Sequence, residues 1–230
     1  MVAPVVPNRQ HAGRVSMSYE EYHALPDDGR LVEWVDGEAQ FHMPPTIYHQ
    51  DLTSFLSSLL HFFVNLLELG KVIDPSFEVK LWPNGPSRQP DIFFVSNQRS
   101  SLFDPNRFNG GPDLVVETIS PSSATLDRIT KFREYERAGV NEYWIIDPRP
   151  FQQQADFYTR DNEGQFVPAP IDAAGVYASP TLPGFRLRVS DLWQTPLPNP
   201  QRVLAEMLID APALSEELRA VYREMLRLLS

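Results

Sequence analysis

Leu114-Val115-Val116-Glu117-Thr118-Ile119, the segment Ser123 to Gly139, and Tyr143-Trp144-Ile145-Ile146-Asp147-Pro148 together decide the fold. The first and last runs are apolar along most of their length, the pattern of strands buried on both faces. Between them, Ser123 and Thr125 are candidate helix N-caps and Asp127 suits a first turn. Gly139 follows Ala138 as a helix-ending glycine should. Strand, helix, strand at this spacing implies a right-handed crossover and a parallel pair.

Working outward, Ile92 to Val95 is another unbroken apolar run, directly after Gln89-Pro90-Asp91. Phe77, Val79 and Leu81 alternate with Glu78 and Lys80, predicting a half-exposed strand. Residues 97 to 111 read as a polar loop. Upstream, apolar residues from Leu52 to Leu67 recur at three- and four-residue steps, predicting a long core helix from about Ile47 to Leu69 with Gly70 as its terminating glycine. Arg30 to Val35, Asp36-Gly37 and Glu38 to Met43 read as a hairpin. Ser18 and Glu21 have capping-box spacing for a short helix. The predicted core order is helix, strand, strand, strand, helix, strand. That is an α/β fold, a central mixed sheet flanked by helices, with an N-terminal hairpin and an antiparallel elaboration after Pro148.

Residues 1 to 15 are expected to be a disordered leader, 16 to 195 the folded domain, and 196 to 230 a helical extension broken near Pro212. The stripe of Leu214, Leu218, Val221, Met225 and Leu228 either packs back on the domain or forms a homodimer contact.

Glu117 carries the chemical signal. A carboxylate inside a strand buried on both faces is strongly disfavoured unless a cation or hydrogen bonds compensate it. Asp91 opens the neighbouring buried strand, so the two acids support each other. Glu33 lies on the apolar face of its strand with Leu31 and Val35. It asks for a partner, either a functional cation or a buried arginine. Lys131 shares a helix face with Asp127 and Tyr135, and an ordinary i,i+4 ion pair with Asp127 explains it as well as a functional amine does. Asp113 should lie a strand length from Glu117, and Ser120 has no histidine–carboxylate context for a nucleophile. His49, in the first turn of the long helix, reads first as a structural residue, otherwise as a substrate contact or an orienter of Glu33.

The chain has no cysteine, which excludes disulfides and thiolate metal sites, and its five histidines have no zinc-motif spacing. Any metal should be a hard, oxygen-seeking cation. No apolar run reads as a signal peptide or membrane span, so a cytoplasmic protein with no membrane partner is expected. The net charge of −10 argues against a broad basic grip on long DNA. Arg128, Lys131, Arg133 and Arg137 on one helix, with Arg88, Arg99 and Arg107 elsewhere, form either a local basic patch or an ordinary solvated surface.

Six segments agree in order and spacing with one known family: Arg30 to Glu38, His49-Gln50, Arg88-Gln89-Pro90-Asp91, Pro112 to Ser120, Asp127 to Tyr135, and Gly139 to Pro148. Across residues 16 to 192 the chain resembles the Uma2 family of restriction-endonuclease-like proteins, within the PD-(D/E)XK nuclease superfamily. The resemblance implies a restriction-endonuclease-like core (α-β-β-β-α-β) and a metal-dependent endonuclease acting on DNA. It makes Asp91 and Glu117 ligands of Mg²⁺ or Mn²⁺ and Glu33 a further carboxylate of the metal site. The superfamily's lysine position, two after Glu117, is Ile119. The resemblance implies that the catalytic amine has moved to the following helix, as Lys131. The alternative is a catalytically inactive nuclease fold acting as a dimeric binding module.

Overall fold

The computed structural model describes residues 12–26, 28–121, 123–209, 211 and 214–229. Its core follows the predicted order. The long helix α2 (Ile47–Leu66) leads into β4 (Gly70–Ile73), β7 (Ile92–Ser96) and β9 (Leu114–Thr118). The crossover helix α3 (Phe132–Ala138) then leads into β10 (Glu142–Asp147). β9 and β10 are parallel, with Glu117 opposite Ile145, as the crossover requires. β7 runs antiparallel to β9, pairing Ile92 with Val116. Adding β11 (Gln154–Arg160) and β12 (Phe166–Pro168) gives the six-stranded order β12-β11-β10-β9-β7-β4.

A second six-stranded sheet was not foreseen. It joins β1 (Gly13–Ser16), the hairpin β2 (Val32–Val35) and β3 (Glu38–Phe41), β5 (Glu78–Lys80), β6 (Ser87–Arg88) and β8 (Arg107–Asn109) in the order β1-β3-β2-β6-β5-β8. The strand predicted at Phe77 to Leu81 therefore belongs here and not to the core sheet. Its place in the core is taken by β4, a four-residue strand too short to show periodicity. The predicted loop 97–111 likewise contains β8. Gly13–Ser16 pairs with β3, so the expected disordered leader is too long at its C-terminal end, and residues 1–11 lie outside the described residues.

Local signals hold where chemistry fixes the backbone. Ser18 and Glu21 form the capping box of α1 (Tyr19–His23). Asp36 and Gly37 both take positive φ, 50° and 83°, which suits a two-residue hairpin turn. Gly139 ends α3 at φ 82°. Gly70 plays a different part from the one expected. α2 has already ended at Leu66, and a Cβ on Gly70 would stand 2.1 Å from the Val95 carbonyl oxygen. That glycine permits close β4–β7 approach.

Alternation divides the core sheet. Leu114, Val116, Trp144 and Ile146 face α2 and, beyond it, α4 (Pro200–Leu208). Val115, Ile119, Tyr143 and Ile145 face α3 and the second sheet. α4 places Val203, Leu204 and Leu208 in the main core, so the C-terminal extension packs back on the domain. α5 (Glu216–Leu228) lies on α4 and leaves Val221 and Leu228 exposed. No helix among the described residues is long and apolar enough to cross a membrane.

Glu142, at the start of β10, ties the hairpin of β13 (Val176–Ala178) and β14 (Arg186–Arg188) to the core. Its carboxylate is fully buried. It accepts from Trp144 Nε1 (2.6 Å), Tyr177 OH (2.5 Å), Ser179 Oγ (2.7 Å) and the Thr181 amide (3.1 Å). Glu142→Ala strands three buried donors and one partly buried donor. It should lower the unfolding free energy in urea by at least about 3 kcal/mol, while Thr181→Ala, which keeps its amide, should stay within about 0.5 kcal/mol of wild type.

Candidate active site

The site lies where β7 begins and β9 ends. The register that pairs Ile92 with Val116 carries Asp91 opposite Glu117. Glu117 shares its strand face with Val115, the face covered by α3. Strand pairing thus brings together two acids 26 positions apart in sequence, and the pleat aims Glu117 at the crossover helix.

The chain from Leu126 to Lys131 is a π-helical turn before α3 begins. Such widened turns re-aim side chains and are frequent at functional sites. Asp127, Lys131 and Tyr135 all point into the protein, at 1%, 4% and 0% exposure. Tyr143 OH donates to the Asp127 carbonyl at 3.1 Å and so fixes the turn from the sheet side.

Lys131 Nζ lies 2.9 Å from Glu117 Oε1, 3.4 Å from Glu33 Oε1 and 3.4 Å from Asp127 Oδ1. The Lys131–Asp127 pair read from sequence is present, but it is buried and not on a solvated surface, and the same ammonium reaches Glu117. Burial opposes its charge, but Glu117, Glu33 and Asp127 outweigh burial and raise its pKa well above the ordinary lysine value.

Glu33 is fully buried and does not line the cavity over Asp91 and Glu117. Its oxygens are taken up by Arg88 Nη1 (2.9 Å), the Gln89 amide (3.0 Å), His42 Nε2 (3.1 Å) and Lys131. Arg88 in turn grips Glu134 through Nε (2.7 Å) and Nη2 (2.8 Å). Burial alone would raise the Glu33 pKa; Lys131, Arg88 and His42 override it and hold the carboxyl well below its usual range. Of the two roles expected for Glu33, this geometry is that of a buried ion-pair partner that fixes Lys131. The charge network Glu33–Arg88–Glu134 was missed from sequence beyond the general need for an arginine, because its members lie on three separate elements.

Asp91 Oδ2 accepts from the Thr118 amide at 2.8 Å and lies 3.1 Å from His49 Nε2. His49 therefore orients Asp91 and not Glu33. Burial disfavours the imidazolium, but the Asp91 carboxylate prevails and raises its pKa. Glu117 Oε1 receives both Lys131 and Tyr135 OH, the latter at 2.7 Å. In both carboxylates these bonds fall on one oxygen, so the other is not engaged by them.

The electrostatic balance is negative. Burial is the main cause that pushes the Glu117 pKa up to about 8; Lys131 opposes it, while Asp127, Asp91 and Glu33 add to it. Asp127 is also raised, by burial first, against Lys131 and Ser123. Its buried Oδ1 has no hydrogen bond, although Lys131 Nζ stands nearby. These features suit a divalent cation: the carboxylates outnumber the ammonium that they share. No three acidic or histidine side chains among the described residues form a preformed metal cage. A hard cation would therefore rest on few carboxylates and keep several waters, as Mg²⁺ does.

The other sequence candidates lie elsewhere. Asp113 accepts from the Ser96 amide, Arg99 and Asn141 at the far end of β9. Of the predicted basic patch, Lys131 is internal and Arg128 pairs with Asp156, while Arg133 and Arg137 stay exposed, Arg137 over the Trp82 ring. Ile119, at the superfamily's lysine position, is a core residue.

A profile of the Uma2 family, described as "Putative restriction endonuclease", matches residues 19–190. A solved structure from Anabaena variabilis ATCC 29413, described as "a putative nuclease belonging to DUF820", shares the fold with a TM-score of 0.61. It is 18% identical, and the match covers 76% of this chain and 96% of that one. No curated protein matches the chain.

Glu33→Ala leaves Arg88 and Lys131 buried without their shared partner and should cost about 3–5 kcal/mol of stability by urea denaturation. The Glu33 contribution is present above the ordinary carboxylate range and is lost as pH falls through its lowered folded value. The wild-type advantage over Glu33→Gln should accordingly persist at neutral pH and shrink only in strong acid.

Proposed function

The chain belongs to the Uma2 family, and on that premise we propose that it hydrolyses phosphodiester bonds in DNA, using Asp91 and Glu117 to hold Mg²⁺ or Mn²⁺. The observation that carries this reading is the buried excess of carboxylate at the cavity floor, facing a single ammonium. When bound, the cation supplies Lewis-acid polarisation of the phosphate and a more acidic water.

The remaining roles belong to the chain. The Thr118 amide and His49 hold Asp91 in one orientation. Tyr135, whose pKa burial and then Glu117 raise well above normal, stays protonated and donates to Glu117. Lys131, ion-paired to Glu117, Glu33 and Asp127, carries the site's ammonium. It serves as a fixed positive charge for the phosphate oxygens as negative charge builds on them, an electrostatic role requiring no reorganisation. Glu33 and Asp127 are positioning residues that keep Nζ where it is.

Purified protein with Mg²⁺ or Mn²⁺ should nick supercoiled plasmid, and EDTA should abolish nicking. Asp91→Asn, Glu117→Gln and Lys131→Met should each slow it at least about 100-fold while circular dichroism stays native. Undiminished cleavage by either carboxylate variant would sink the assignment. Absence of both cleavage and metal binding by wild type in calorimetry would return the chain to the inactive-scaffold reading.

A further inference from the structure

Resting on the nuclease reading above, we propose that the substrate entering this site is an unpaired DNA strand and not a duplex. Asp91, Glu117, Asp127 and Lys131 are only 8%, 3%, 1% and 4% exposed, on the floor of a cavity of about 260 Å³. Leu31, Met43, Pro44, Pro45 and Pro75 line it together with the polar Arg30, His42, Gln50 and Ser76. A phosphate of a duplex is fixed on a stiff, stacked double helix that an enclosed cavity of this size does not admit. A single strand can turn one phosphate inward alone.

The charges agree. Tight duplex binding draws on phosphate neutralisation by exposed cations. Here the chain carries −10, and Arg30, which lines the cavity, is paired with Asp28, as Arg128 and Arg149 are with Asp156 and Asp147. An alternative source of affinity lies beside the cavity. The first turns of α2 form a ridge: His49, Gln50 and Thr53 face the site, whereas Tyr48 faces a neighbouring groove of about 590 Å³. Trp193, Pro148 and Pro150 line the same groove. Tyr48 is 58% exposed, and Phe151, next to Pro150, is fully exposed. Aromatic faces beside a cleavage site bind unstacked bases, a contact that a closed duplex does not offer. The N-terminus of α2, with no acidic residue in its first turn, adds a partial positive charge on this ridge.

The test uses full-length protein with Mn²⁺ and one labelled DNA sequence presented as a single strand, as a blunt duplex and as an unpaired bubble within a duplex. The strand and bubble should be cut at least about tenfold faster than the duplex. Tyr48→Ala should raise KM for the strand about tenfold with kcat nearly unchanged and leave the duplex KM unaltered, the size expected for one lost stacking contact. Equal or faster cutting of the duplex overturns the strand proposal but leaves the nuclease reading standing, as does a Tyr48→Ala effect equal on both substrates. If nothing is cut, the nuclease reading falls, and fluorescence anisotropy with the same DNAs decides strand preference: binding of the strand about tenfold tighter than the duplex upholds it, and equal or weaker binding overturns it.

Discussion

Lys131 stands with its ammonium buried among Glu117, Asp127 and Glu33, and the architecture around it can be read as the set of conditions for keeping it there. A buried ammonium persists as a charge only when carboxylates surround it. Each of the three comes from a different element: Glu117 from the core sheet, Asp127 from the π-helical turn, and Glu33 from the hairpin of the second sheet. The second sheet therefore does more than cover one face of the core. Through Glu33, and through Arg88 reaching Glu134 ahead of it on α3, it is bolted to the crossover helix by charge.

Such a network is a poor source of net stability, since desolvation offsets most of the attraction. The fold's free energy resides instead in the apolar layers on either side of the core sheet, where Trp144, Tyr143, Phe63, Phe93 and Phe94 are completely or nearly completely buried. The ionic cluster is placed where those layers end, at the strand termini. Its contribution is positional. Removing one member leaves others buried and unpaired, so the geometry is held by the penalty of breaking it.

The same contrast of inside and outside shapes how a substrate could approach. Among the described residues the buried charges are mostly carboxylates, Lys80, Arg88 and Lys131 are the buried cations, and many of the other arginines are paired with acids. The exposed residues at the cavity and its neighbouring groove include Met43, Tyr48 and Phe151 beside the polar Gln50, Asp51 and Ser76. Under the strand proposal, such a surface suits a base that has left its stack better than a polyanionic rod.

Much of the core was legible because its signals are local. The apolar runs of β7, β9 and β10, the periodicity of α2, and the glycine after α3 each report their own backbone conformation within a few residues. Asp91 and Glu117 could be singled out since a carboxylate at the end of, or within, a fully buried run is conspicuous in itself. Glu33 was conspicuous too, but its partner was not: Arg88 lies 55 residues away, on a two-residue strand with no periodicity to read. The second sheet, β4 and the π-helical turn were hidden for the same reason, being short and held by pairing with distant segments. By itself, then, the sequence determined the long core elements, the parallel crossover and the two acids on adjacent strands, because hydrophobic period and local turn chemistry set those. Tertiary structure alone decided that Lys131 turns inward to Glu117, that Glu33 holds the lysine instead of lining the cavity, and that His49 serves Asp91, because each depends on which distant side chains share one buried, low-dielectric space.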